Sequence, residues 1–403
     1  KGMKAMKMAL YSSVFGDTFS DVMLIFAAGF LASIALNFGP PEYTLLTGFS
    51  LICISSLTGN SVWKGLLSVF LGMIIGMIGL DPITATPRLT FDYLELEEGI
   101  GLIPMLIGTL AVSEALRQME QPIKKLASST LSFSKKKIDN IVTWSEFKST
   151  LPTIVKSSGL GTLIGAMPGL GSTIAAFLAY GEAKRSSKFP EKFGKGSLEG
   201  VAASEAANNA VSGSNMIPLL AFGIPGDIAA ALIMGAFLIQ GITLGPVVFQ
   251  DNPVEIYAIF AALIVANLLN LVLGHGLIRM CKHVVTVPKR LLFPAVLVVA
   301  SAGAYALRGS LFDIQLVFCF GILGYLMIKC DIPTVPMLIG FILIPIFEEN
   351  LRITILLGSS HDLNIGFIFT RPAFLILLLI MTVASFIVVK RRNLKNLEKI
   401  NNK

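Results

Sequence analysis

The residues able to bind an ion or a carboxylate sit at two interruptions of apolar sequence. The first is GTLIGAMPGLGST at 161–173, which offers Pro168, Gly169, Gly171, Ser172 and Thr173. Pro168 lacks an N–H and clashes with the preceding turn, so a helix stops there. Where a helix starts again, its first N–H groups are free and carry the positive end of the helix dipole, which favours an anion. The Ser172 and Thr173 hydroxyls add donors, or oxygen ligands for a cation. The second interruption is FGIPGD at 222–227, where Pro225, Gly226 and Asp227 open another helix at 228. Between the two lies EGVAASEAANNAVSGSN, an unusually polar stretch for its surroundings. Glu205, Asn208 and Asn209 stand at i, i+3 and i+4 and share one helix face; Glu199 does not join them. Such an amide pair suits hydrogen bonding to a carboxylate or oxygen ligation of sodium. The expected substrate site is therefore Pro168, Gly169, Gly171, Ser172, Thr173, Asn208, Asn209, Pro225 and Gly226. Asp227, Glu205 and Asn209 are the expected ion-coupling residues.

A single Pro-Gly break in a membrane helix is as readily a packing kink as a site. Two breaks with polar residues between them favour a site. Enzymatic alternatives find no residues to carry them. GLGST lacks the Lys of a phosphate-binding loop, and the GxSxG and HExxH patterns are absent. Cys53, Cys281, Cys319 and Cys330 have no CxxC spacing and read as small packing residues. His275, His283 and His361 stand singly, without the clustering that zinc needs. No cofactor and no catalytic residue is expected. The transported or coupling cation is Na+ or H+.

The elements that position these residues are membrane helices. The chain has 403 residues, 54% hydrophobic and 14% charged, against about 25% charged in soluble domains. Its mean hydropathy is +0.76. Spans are expected at 22–38, 43–57, 62–80, 100–116, 228–247, 254–274, 291–307, 312–329, 335–347 and 371–390. The net charge of +7 comes from basic loops, read as cytoplasmic anchors and not as a nucleic-acid surface. Basic residues concentrate in 117–150, 182–198, 279–290 and the C-terminal tail, whereas the loops 81–99 and 348–370 are acidic and are expected outside. Because the loops on both sides of 153–181 are basic, that segment is expected to enter the membrane and return as a re-entrant hairpin. Irregular backbone at such depth is tolerated only where protein buries it or it lines a wet cavity.

The pentapeptide PMLIG occurs at 104–108 and again at 336–340. Loop charge runs the first copy from outside to inside and the second in the opposite sense. The expected fold class is an all-α polytopic membrane protein with inverted-topology repeats and broken helices or re-entrant hairpins, the pattern of secondary transporters. The layout is a first transmembrane repeat over 1–120, a basic cytoplasmic linker over 121–150, a second repeat with the Pro-Gly breaks over 151–350, and a final helix and basic tail over 351–403. The chain opens Lys1-Gly2-Met3-Lys4, and a further N-terminal part of the first repeat is expected upstream.

GTLIGAMPGLGSTIAAFLAY, FGKGSLEGVAASEAANNA, FGIPGD and GITLGP together resemble the large membrane subunit of bacterial tripartite tricarboxylate transporters. FGPPEYTLL at 38–46 and RLTFDYLELEEGIGLIPMLIG at 88–108 extend the resemblance over most of the chain. The chain departs from the family pattern in three places: Ser204 replaces a proline, Asp227 replaces a small hydroxyl residue, and PLLAFGIPG stands for PTLTLGIPG. The resemblance implies a multi-pass permease of the bacterial inner membrane that imports a citrate-like di- or tricarboxylate with a cation gradient. It also implies a small membrane subunit and an extracytoplasmic solute-binding protein as partners. Transport of another small solute is the alternative, and an intramembrane enzyme a more distant one.

Overall fold

A computed structural model describes residues 2–57, 61–81, 83–120, 140–167, 171–284, 289–360, 365–379 and 381–382. Pro168, Gly169, His361, most of the basic linker and the basic tail lie outside the described residues. The described chain is helical apart from one antiparallel pairing of β1 (Gly79–Leu80) with β2 (Pro87–Arg88).

The polar stretch between the two breaks forms α9 (Leu198–Phe222), most of whose residues are buried. It is enclosed by α1 (Gly2–Ala35), α7 (Trp144–Gly165) and α8 (Gly171–Ser186). Small residues let the backbones touch, as membrane helix pairs require. On α1, Met8, Ser12, Gly16, Ser20, Leu24, Ala28 and Ala32 recur every four residues and are buried, with Gly16 against the Ala206 carbonyl of α9. Phe26 and Phe30 on the opposite side of α1 are exposed, as a lipid-facing surface would be. The expected span 22–38 is thus the last part of a helix that starts at Gly2. Its polar first half is held by packing on α9, a tertiary contact that hydropathy does not register.

A second group of helices joins the two ends of the chain. α3 (Val62–Gly76) and α2 (Pro40–Leu57) pack on α15 (Val335–Ser360). α14 (Leu311–Lys329) and α13 (Lys289–Arg308) pack on a helix made of α5 (Leu102–Leu106), a π-helical stretch Ile107–Val112 and α6 (Ser113–Met119). The two PMLIG copies are used reciprocally. Gly108 lies against Val317 and Phe320 of α14, and Gly340 lies against Val69 of α3. Each copy is seated on the helix that precedes the other copy.

Gly2–Ala35, Pro253–Ile278 and Leu311–Lys329 are long and apolar enough to cross a membrane, the middle one within α12 (Pro253–Val284). Val62–Gly76, Ala229–Ile239 and Pro294–Ala306 are apolar but shorter. The expected span 228–247 stops at Ile239, the end of α10 (Ile228–Ile239), and the chain turns at Gly241, where φ is 76°. The short span 335–347 instead runs on to Ser360, because Glu348 and Arg352 find partners. Arg88 donates to both Glu348 oxygens at 2.9 and 3.0 Å and also pairs with Asp81. Arg352 reaches Asp81 at 3.0 Å and Glu348 at 2.7 Å.

This network ties the acidic loop after α3 to α15. The backbone N–H of Thr84, with that of Ile83 and the two guanidinium groups, holds the Asp81 carboxyl far below the usual range. A depressed pKa adds stability above the unfolded value of about 3.9, and that stability is lost as pH falls through the folded value. Thermal stability of the detergent-purified chain should therefore fall as pH drops below about 4. Asp81→Asn should flatten that fall; an unchanged acid limb would remove Asp81 from the account.

Candidate functional site

α7 begins with a capping box, in which the Glu146 N–H donates to Thr143 Oγ1 at 3.3 Å and the Thr143 N–H donates to Glu146 Oε2 at 2.9 Å. It runs to Gly165 and ends at the first break. α8 starts at Gly171, whose φ of 67° suits glycine. The two helices form an antiparallel hairpin. Lys156 and Glu182, equidistant in sequence from position 169, pair at 2.6 Å, and Ile164 packs with Ala175. α7 and α8 thus run in opposite directions on the two sides of the first break.

The second break begins where α9 ends. Gly223 takes a left-handed conformation at φ 69°, and its N–H donates to the Leu219 carbonyl at 2.9 Å. α10 then opens at Ile228 with Asp227 as N-cap: Oδ1 accepts from the Ala230 N–H at 2.9 Å. This carboxylate sits at the positive end of α10, where a substrate anion would otherwise bind, so α10 offers an anion little. The start of α8, at Gly171 and the half-buried Ser172, carries no such carboxylate.

Folding brings Gly165, at the end of α7, and Gly226, in the second break, to one turn of α9. Gly165 lies against the Ser214 hydroxyl and the Val211 backbone. A Cβ on Gly226 would stand 2.6 Å from Asn215 Oδ1 and 3.3 Å from the Gly165 carbonyl oxygen. Asn215 is 2% exposed, and its Oδ1 accepts from no described residue. Along α7, Ser158 and Thr162 are buried with hydroxyls that have no described partner. Ser149, Thr150, Thr153 and Ser157 of the same helix line a cavity of about 670 Å³ toward its start. There Thr153 and Ser187 donate to Glu199 at 2.9 and 2.6 Å, and Lys156, Lys188 and Lys192 add positive charge. Polar side chains thus run along α7 from this cavity to the meeting of the breaks.

The expected residues divide into separate places. Pro225 and Gly226 are buried at the meeting point, and Thr173 is exposed. Glu205 and Asn209 face α1 at another level of α9, where Asn209 donates to Ser13 Oγ at 2.8 Å and Ser13 donates to Glu205 at 3.4 Å. Asn208 has no hydrogen-bond partner among the described residues. Sequence reasoning passed over Ser214 and Asn215, although they end the polar stretch, and Thr162, which is one hydroxyl in an ordinary helix. It also passed over Asp21 on α1, which is 4% exposed, accepts from Asn267 of α12 at 2.7 Å and packs against Gly213. A carboxylate inside an apolar run was the available signal. His275 meets the Tyr11 hydroxyl at 3.1 Å, and Cys319 is exposed and not a packing residue. The described residues contain no group of three or more His, Cys, Asp or Glu able to hold a metal ion.

The end of α7 and the second break thus meet at buried polar groups of α9. The sequence profile of the tripartite tricarboxylate transporter TctA family matches residues 1–339. The chain belongs to the TctA family. An uncharacterised 52.8 kDa protein from the TAR-I ttuC' 3' region of Agrobacterium vitis is 37% identical to it over 350 residues, 87% of this chain and 68% of that one. An uncharacterised protein from the TAR-II ttuC' 3' region of the same organism is 43% identical over 192 residues, 48% of this chain and 79% of its own. No solved structure matches. This TctA-family chain is a membrane transporter subunit and not an enzyme, and a tripartite system works through further subunits, a binding protein among them.

Proposed function

We propose that this chain is the multi-pass permease of a binding-protein-dependent secondary transporter in the bacterial inner membrane. It imports a di- or tricarboxylate of the citrate type with a cation gradient. It takes the substrate from an extracytoplasmic solute-binding protein and works beside a small membrane subunit. The observation that carries the reading is that the end of α7 at Gly165 and the second break at Gly226 meet against Ser214 and Asn215 of α9. The free N–H groups at the start of α8, with Ser172, receive a carboxylate; Pro225 and Gly226 close the other side. The cavity at the start of α7, lined by Lys156, Lys188 and Lys192 together with Glu146, Glu182 and Glu199, lies at the end of the hairpin read as cytoplasmic. The reciprocal seating of the PMLIG copies supports two repeats of inverted topology, with the hairpin part of the second.

Uptake into proteoliposomes containing the chain, a small subunit and a binding protein tests the activity. A carboxylate should accumulate only with an imposed cation gradient, and equal uptake of an uncharged solute would reject the substrate class. Topology is tested by single cysteines at Glu97 and at Lys188 in a cysteine-free background. An impermeant thiol reagent added outside should label the first and not the second. Labelling of both from outside would end the inverted scheme.

A further inference from the structure

We propose that the cavity at the start of α7 is a headgroup site for an anionic phospholipid. Lys188 and Lys192 hold the phosphodiester, and the acyl chains lie along the outer face of the α7–α8 hairpin. This assignment does not depend on what the chain transports. The cavity, of about 670 Å³, opens between the start of α7, the end of α8 and the start of α9. Its carboxylates are already engaged. Glu146 takes Lys4 at 2.6 Å; Glu182 takes Lys156 at 2.6 Å and also Arg185. Both oxygens of Glu199 accept hydroxyl protons, from Thr153 at 2.9 Å and from Ser187 at 2.6 Å. Lys188 and Lys192, by contrast, pair with no carboxylate among the described residues; Lys192 lies 4.0 Å from the centre of the Phe189 ring. Ser157, also in the wall, is 3% exposed and its hydroxyl has no partner among the described residues. A buried hydroxyl is expected to have one. The cavity thus offers two uncommitted ammonium groups and a free hydroxyl donor, which suit the charged oxygens of a phosphate.

The hairpin beyond the cavity makes the occupant a lipid and not a free anion. Lys156 and Glu182 bridge α7 and α8 at the cavity wall. Leu163 follows Lys156 by seven residues, two turns along the same face of α7, and is 68% exposed. Leu178 precedes Glu182 by four residues, one turn along the same face of α8, and is exposed beside Phe177, which is 74% exposed. The face therefore passes from an ion pair to bare apolar side chains within one or two turns. Acyl chains can cover those side chains, whereas a free phosphate or carboxylate would touch none of them. Phe189, in the wall, and Trp144, at the start of α7, are both exposed at the polar end of the hairpin. Aromatic rings take such places at a membrane–water boundary. A basic pocket between helix ends at the cytoplasmic boundary is where anionic headgroups bind.

The test uses the full purified chain in a neutral detergent, with phosphatidylglycerol, phosphatidylcholine, inorganic phosphate or citrate added. Thermal unfolding and native mass spectrometry are the readouts. Phosphatidylglycerol should stabilise the wild type saturably and stay bound as a discrete adduct, and phosphatidylcholine should do neither. The double variant Lys188→Ala, Lys192→Ala should need about tenfold more phosphatidylglycerol for the same effect. The double variant Lys184→Ala, Lys195→Ala removes as much charge from the same loop outside the cavity wall and should match the wild type. Equal losses in the two double variants would mean diffuse attraction to an anionic surface and overturn the site. An equal response to phosphatidylcholine, or no response to phosphatidylglycerol, also overturns it. Stabilisation by phosphate or citrate at concentrations as low as those of the lipid would make the cavity a free-anion site and overturn the lipid assignment. If the Lys188, Lys192 double variant does not fold, the two single variants decide, and a wild-type response in both overturns the site.

Discussion

Gly165→Val should weaken carboxylate binding about a hundredfold, equivalent to roughly 2.7 kcal/mol. The α7 and α9 backbones touch at this point: the added carbon would meet the Ser214 hydroxyl and would lie 2.9 Å from both Val211 Cα and the Val211 carbonyl oxygen. Backbone cannot rotate away as a side chain does, so the helices must separate. Overpacking of this kind costs about 1–3 kcal/mol. The separation also carries the end of α7 away from Asn215 and Gly226, and with it the break that holds the start of α8. Gly159 lies on the same helix with nothing within 4 Å of an added Cβ. Gly159→Ala is therefore the control and should bind as the wild type does. The measurement is titration calorimetry on monodisperse protein, with thermal unfolding run in parallel. If Gly165→Val remains folded and binds normally, the breaks are packing kinks and the carboxylate site lies elsewhere.

Gly108→Val and Gly340→Val should each lower the yield of folded protein sharply, and by similar amounts. In Gly340 the added carbon would stand 2.6 Å from the Val69 carbonyl oxygen; in Gly108 it would stand 2.8 Å from Phe320 Cβ and 3.0 Å from the Gly321 N. Each loss should be about 1–3 kcal/mol or more. Gly29, on the α1 helix with open space around it, is the control. Monodispersity and thermal midpoint of the purified chains are the readout. A severe Gly340 variant beside a harmless Gly108 variant would show that the two PMLIG copies do not play equivalent parts.

Much of the site's local structure was legible from residue types. Pro225, Gly226 and Asp227 mark a helix start at 228 by steric and conformational rules that act within a few residues, and α10 does begin there. The hairpin followed from two basic loops on either side of a broken apolar segment. The helix ends were less legible, because tertiary contacts override hydropathy. α1 extends back to Gly2 because Ser12, Gly16 and Ser20 pack on α9. α15 extends to Ser360 with its charges paired to Arg88 and Asp81.

By itself the sequence determined the class, the breaks and the family resemblance, since each depends on composition or on motifs a few residues long. Which of the candidate residues come together was decided by tertiary structure alone. Glu205 and Asn209 share a face of α9, and folding sets that face against Ser13 of α1. Asn215 looked like the end of a polar run, yet the crossing of α7 on α9 sets it between Gly165 and Gly226. Helical periodicity states which residues share a face; it carries no record of which neighbour that face will meet. Where small residues let three backbones approach closely, that neighbour is chosen by long-range packing.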